Sequence, residues 1–168
     1  MVRNNVLPLA HRFEKQATEF LEASHRCMDA RVVDGLFASA SVPQIVCAAF
    51  SVELGLKSIL IMETQAKPDG HKLVDLFRKI STDSKAHIQK AVPIPTYPKT
   101  ILPQNFESVL KVVSTAFVDW RYSCEGLQDL EADVGFLTSL ARSVIERSRS
   151  MQTSKANEHR KRRCANFW

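Results

Sequence analysis

Two pairs of opposite charges stand where apolar residues are expected. Glu53 and Lys57 interrupt the run from Phe50 to Leu60, and Arg121 and Glu125 follow Phe117 and Trp120. Each pair is spaced four apart, so each shares one helix face, and the Glu-before-Lys order of the first favours an intrahelical ion pair. Charges set among Leu, Ile and Phe are costly unless paired, so some of the four should pair between helices. Arg121 with Glu53 is the preferred combination, because a guanidinium can take a carboxylate through two hydrogen bonds. Such a pair is either a structural salt bridge or part of a site that moves protons. His71, directly after Gly70 and ahead of a helix start, is the second candidate, as an imidazole able to act as a base. Its plainer role is to cap the turn or to bond Asp69 or Asp75.

Other site types find little support. Glu22-x-x-His25 is half of a di-iron bundle pattern, which needs a second copy and two more glutamates. There is no Gly-rich phosphate loop, nucleophile elbow or His-Glu-x-x-His helix. No metal and no cofactor is therefore expected. The cysteines, Cys27, Cys47, Cys124 and Cys164, form no Cys-x-x-Cys pair. Their scatter suits reduced thiols in the cytoplasm, and the short apolar start, broken by Pro8, does not read as a secretory signal.

The elements beneath these residues read as helices almost throughout, from apolar positions three and four apart. One helix is expected from about Pro8 into the low thirties, with Phe13, Ala17, Phe20, Leu21, Ser24, Cys27 and Met28 inward. A second begins near Pro43, with Ser41 as its cap, and is apolar on most sides, as a central helix is. The uncharged stretch 35–52 contains Pro43 and serines, and a buried helix explains it better than a bilayer span. Lys67-Pro68-Asp69-Gly70 forms a turn. Leu73, Leu76, Phe77 and Ile80 mark a short helix, 82–91 adds a turn or two, and the prolines at 93, 95, 98 and 103 mark an extended connection. Phe106, Val109, Leu110, Val113, Phe117 and Trp120 define a fourth long helix, interrupted near Gly126. The last helix runs from Leu127 to Met151 in coiled-coil-like spacing, with packing that weakens at polar Ser148 and a frayed tail beyond Ser154. No strand is expected, and no Asp-Gly turn is seen to join two strand candidates. The expected fold is all-α, an antiparallel up-and-down bundle of four long helices plus one short helix over residues 1–154, with 155–168 a flexible basic tail.

Three segments carry a resemblance. Phe50-Ser-Val-Glu53-Leu-Gly-Leu-Lys57-Ser-Ile-Leu60, then Gly70-His71-Lys72-Leu73, then Trp120-Arg121-Tyr122-Ser-Cys-Glu125 are similar, in order and separation, to the E-x-x-L-K-x-x-L helix, G-H-x-L turn and R-Y-x-x-E helix end of the HEPN superfamily. The likeness covers roughly residues 8–150. It implies a helical bundle that commonly dimerises, with roles in RNA cleavage, toxin–antitoxin pairs, phage defence or partnership with nucleotidyltransferases. Catalytic members carry an arginine followed by histidine after four to six residues. From Arg121 those positions hold Gly126, Leu127 and Gln128, and none of His11, His25, His71, His87 and His159 follows an arginine at that spacing. The resemblance therefore implies a non-catalytic or degenerate module that binds RNA or a protein partner, with Arg121, Glu125, His71, Glu53, Lys57, Asp75 and Tyr122 as its polar residues. One alternative is a metal-independent ribonuclease with Arg121 on the phosphate and His71 or Glu125 as base. Another is a purely structural dimeric bundle.

The formal charge is +5, but it is unevenly placed. Residues 142–163 hold eight basic side chains against two acidic ones, and the rest of the chain holds 15 against 16. Basicity thus belongs to one end. There Arg160, Lys161, Arg162 and Arg163 are candidates for RNA or DNA phosphate, with Phe167 and Trp168 able to stack on bases, unless the run is only a solvated tail. An apolar share of 45% excludes a disordered chain. A homodimer is expected also because Phe37, Phe106, Trp120 and Phe136 are more than one small core holds comfortably.

Overall fold

The order of elements is α1 (Val6–Cys27), β1 (Arg31–Val33), β2 (Leu36–Ala38), α2 (Ser41–Thr64), α3 (Leu73–Lys79), α4 (Thr82–Ala91), α5 (Phe106–Val112), α6 (Ala116–Asp119) and α7 (Val134–Ala165). The computed structural model describes residues 6–29, 31–34, 36–38, 40–95, 105–119 and 132–165, with backbone alone described for 31–33, 36–38, 118 and 159–165. The protein is mainly helical, as expected.

Helix α2 is the centre. Every residue from Ser51 to Met62 is buried, polar ones included. It is long and apolar enough to cross a bilayer, yet most of it is enclosed by protein, so it is a core helix. Helix α1 runs antiparallel to it along a seam of small residues. Ser24 Oγ donates to the Gln44 carbonyl (3.0 Å), Ser51 Oγ to Ala17 (2.6 Å) and Ser58 Oγ to Ala10 (2.7 Å). The partners step by seven residues on both helices, in opposite directions. Ala10, Ala17 and Ser24 have no exposed surface, and such small side chains let two backbones approach closely. Helix α7 closes the other side of α2. Gly55 faces Val144, whose Cγ1 would lie 2.6 Å from a Cβ at that position. Ser148 Oγ lies 2.7 Å from Ser58 Oγ and also accepts from Gln152. The packing therefore does not weaken at Ser148, because its hydroxyl joins the seam of the other two helices.

Several boundaries differ from the spacing argument. Helix α1 stops at Cys27, which leaves Met28 exposed. A β-hairpin follows, with Val33 opposite Leu36 and Arg31 opposite Ala38. The two residues between its strands are Asp34, at φ 52°, and Gly35, the pairing that two-residue hairpin turns favour. Three-residue strands are too short to show a period-two pattern, which is why no strand was expected. Ser41 is the first residue of α2 rather than its cap, and Ala40 precedes it without a side-chain cap bond. Pro43 still sits in the first turn, where no N–H is needed; the first intrahelical bond runs from Gln44 N to Ala40 O.

The long helix expected from Phe106 is broken. Helix α5 ends at Val112 and α6 begins at Ala116. Ser114 lies in the gap, where its carbonyl accepts from Leu73 N (3.1 Å) and its Oγ from Val74 N (3.0 Å). The break thus supplies the start of α3, whose own cap residue Lys72 offers no side-chain bond. Phe106 and Phe136 are both buried, in a chain of rings with Phe77, so they do not call for a second subunit. The side chain of Phe37 and Trp120 lie outside the described residues. Helix α7 continues through Ala165, well past the Ser154 limit where fraying was expected.

Candidate functional site

The site grows from the one stretch of α2 that is both buried and charged. Glu53 is 1% exposed. Its Oε1 accepts from Lys57 Nζ at 2.8 Å, the intrahelical pair expected from their spacing, and lies 2.9 Å from His71 Nδ1. Its Oε2 has no hydrogen-bond partner among the described residues. An ionised carboxylate can only accept, so a bond to Glu53 places the histidine proton on Nδ1 and leaves Nε2 as the acceptor in the neutral ring.

Local structure brings His71 there. Helix α2 ends in a left-handed cap at Gln65 (φ 60°), and Gly70 holds φ 97°, a conformation that L side chains rarely adopt. The chain re-enters α3 with His71 above Glu53. Its ring is 6.3 Å from that of Phe117 on α6, which stacks on Phe50 of α2 at 4.5 Å, and Phe50 meets Phe20 of α1 edge-on at 4.6 Å. One side of the imidazole is thus anchored on a buried acid and a shelf of rings. The side chain is otherwise 62% exposed.

That exposed side faces a cleft of about 550 Å³, lined by Asp69, Gly70, His71, Lys72, Asp75, Leu76, Lys79, Ser114, Thr115 and Asp119. The start of α3 is not an anion trap here. Leu73 N and Val74 N are taken by Ser114, and Asp75 N and Leu76 N by the Lys72 carbonyl. The charged side chains that line the cleft are Lys72 and Lys79 and, with opposite sign, Asp69, Asp75 and Asp119.

His71, Glu53 and Lys57 therefore come together, and His71 bonds Glu53 rather than Asp69 or Asp75. Asp75 lines the same cleft and is not part of the hydrogen-bonded trio. Arg121, Tyr122 and Glu125 lie outside the described residues, as does the preferred Arg121–Glu53 pair. Arg160, Lys161, Arg162 and Arg163 lie on the α7 backbone, with their side chains outside the described set. Among the described residues, no three His, Cys, Asp or Glu side chains are grouped so as to hold a metal ion, and Glu22 and His25 belong to no such group. Sequence spacing missed Ser114, Lys72, Lys79 and Asp119. The signal for Ser114 was the Ser-Thr pair at 114–115, residues that compete with helical backbone bonds and suit helix ends.

Of known proteins, no family model, no curated protein and no solved structure matches the chain. The fold and site define a mainly helical protein with a carboxylate-anchored histidine at the wall of a mixed-charge cleft.

Proposed function

We propose that this chain is a HEPN-like module of a toxin–antitoxin, defence or stress system, which binds RNA or a protein partner at the His71 cleft. In this reading it is an antiparallel up-and-down bundle whose fourth long helix is the one broken at Ser114, and it works as a homodimer, with a nucleotidyltransferase-type protein as a candidate partner. The observation that carries the reading is the contact of Glu53 with both Lys57 and His71, since it joins the E-x-x-L-K helix to the G-H-x-L turn in one polar cluster. Arg121 lies four residues beyond Phe117 in the sequence, and Phe117 packs on Phe50 and beside His71. Arg121 is accordingly the residue proposed to complete the cluster, either by pairing with Glu53 or by holding a phosphate.

The Glu53–His71 bond favours a second reading, a metal-independent ribonuclease. Glu53 fixes the ring, and Nε2 takes the proton of the ribose 2′-hydroxyl as that oxygen bonds to the adjacent phosphorus; the P–O5′ bond breaks, leaving a 2′,3′-cyclic phosphate, and the departing 5′-oxygen takes a proton from the imidazolium so formed or from water. The purified chain is incubated with labelled RNA in the presence of a chelator, alongside His71→Ala, Glu53→Gln and Arg121→Ala. Cleavage by the wild type that falls at least 100-fold in His71→Ala establishes the second reading. RNA or partner binding that Arg121→Ala and His71→Ala weaken, without any cleavage, establishes the first. Neither binding nor cleavage overturns both.

A further inference from the structure

Helix α7 leaves the core at Lys155. Up to that point it is held. Ser148 bonds Ser58, Met151 packs against the core, and Lys155 Nζ donates to the Met62 carbonyl near the end of α2. Beyond it Ala156, Asn157 and Glu158 are all exposed. Successive residues turn by about 100°, so these three sweep most of the helix circumference, and no described element covers it there. The backbone remains helical through Ala165, about 15 Å past Lys155 at a rise of 1.5 Å per residue.

The helical backbone beyond Lys155 carries Arg160, Lys161, Arg162 and Arg163 against the single acid Glu158. Four consecutive residues take positions all round a helix, not along one stripe. Arginine and lysine are good helix formers, and cations near the C-terminal end of a helix are favoured by its dipole. The helix therefore needs no partner in order to form. It also has no apolar seam with which to pack on a protein, while the rest of the chain is close to neutral. A helix with basic residues at positions all round its axis is matched by a groove with phosphates on both walls. The major groove of B-DNA admits an α-helix between its two backbones. The major groove of A-form RNA is too deep and narrow, and a single strand would meet one side of the helix only.

We propose that α7 beyond Lys155 is a docking arm for duplex DNA, with Arg160, Lys161, Arg162 and Arg163 on the phosphates, independent of the His71 cleft. The test is fluorescence anisotropy on a 20-bp DNA duplex, an RNA duplex and a single-stranded RNA of the same sequence, across salt from 50 to 200 mM. The full chain is compared with R160Q/K161Q/R162Q/R163Q and with the charge-preserving R160K/R162K/R163K. At 0.9 counterions per phosphate, four contacts give a slope of about −3.6, or about 150-fold weaker binding over that salt range. The glutamine variant loses this component and the lysine variant keeps it, and in a His71→Ala/Arg121→Ala background, where the cleft is disabled, both RNA probes bind at least tenfold more weakly than the DNA. Glutamine-variant binding equal to wild type, loss of the salt slope in the lysine variant, or preference for either RNA in the cleft-disabled background overturns the proposal. His71→Ala leaves the DNA binding unchanged, so failure of the arm is distinguishable from failure of the cleft reading.

Discussion

Lys57→Met removes one charge from a buried pair while keeping the shape of the side chain. Glu53 and Lys57 are 2.8 Å apart, with their side chains 1% and 11% exposed. At an effective dielectric of 20 that separation corresponds to about 6 kcal/mol of gross attraction, most of it offset by desolvation. Loss of the Glu53 charge strands Lys57, and loss of Lys57 leaves Glu53 with His71 alone; buried pairs broken by removal of one partner cost about 3–5 kcal/mol. We expect Lys57→Met and Glu53→Gln each to destabilise the protein by about 3 kcal/mol, which lowers Tm by about 6–12 °C for a chain of this size. The double variant Glu53→Gln/Lys57→Met buries no charge, and should recover to within about 1–2 kcal/mol of wild type. Urea unfolding followed by far-UV circular dichroism gives all four corners of the cycle. Single variants that each cost less than about 1 kcal/mol would mean that the pair behaves as a surface salt bridge. A double variant as unstable as the sum of the singles would mean that the two charges are not coupled. Either result refutes the reading of Glu53 as a buried acid held by this pairing.

Gly55→Ala should lower stability by about 1–2 kcal/mol, since overpacking against Val144 outweighs the roughly 1 kcal/mol of helix propensity gained. In a Val144→Ala background the same substitution should become neutral or stabilising, and thermal melts of the four proteins check the reversal. Burial, and secondarily the neighbouring Cys27, pushes the Cys47 thiol above its ordinary value. The thiolate is therefore scarcer than in a free cysteine at the same pH, and alkylation of Cys47 by iodoacetamide in the folded protein should be slower and should rise only at higher pH. Cys27→Ser should speed it, as measured by mass spectrometry against time.

Helices α1, α2 and α7 were legible from their apolar residues, periodic on α1 and α7 and nearly continuous on α2. Leu56, Ile59 and Leu60 on α2, and Leu137, Ala141 and Val144 on α7, are buried as their spacing indicates. The Glu53–Lys57 pair was legible for the same reason, being local to one helix. What spacing did not carry were contacts made by one or two residues at a distance. Ser114 caps a helix forty residues earlier in the chain, and nothing near either residue encodes the other. His71 was recognised as a candidate, yet its partner is Glu53 and not a neighbouring aspartate, because the positive φ at Gly70 turns the chain back over α2. The hairpin was hidden by its brevity. Phe106 and Phe136 looked surplus to one core only while Phe77 was not known to lie beside them.

The serine seam between α1 and α2 also decides how those helices can move. Its three bonds recur every seven residues on both partners. A slip by one helical turn, about 5.4 Å, would set Phe13 and Glu14 or Phe20 and Leu21 where Ala10 and Ala17 now sit, and these larger side chains would hold the backbones too far apart for the hydroxyls to reach a carbonyl. Only a slide of two turns, about 10.5 Å, restores any of the bonds. The pair therefore has one register and no nearby second one, and α1 and α2 behave as a single stiff strut. The walls of the His71 cleft come instead from residues 69–79 and 114–119, joined by the bonds of Ser114 to Leu73 and Val74.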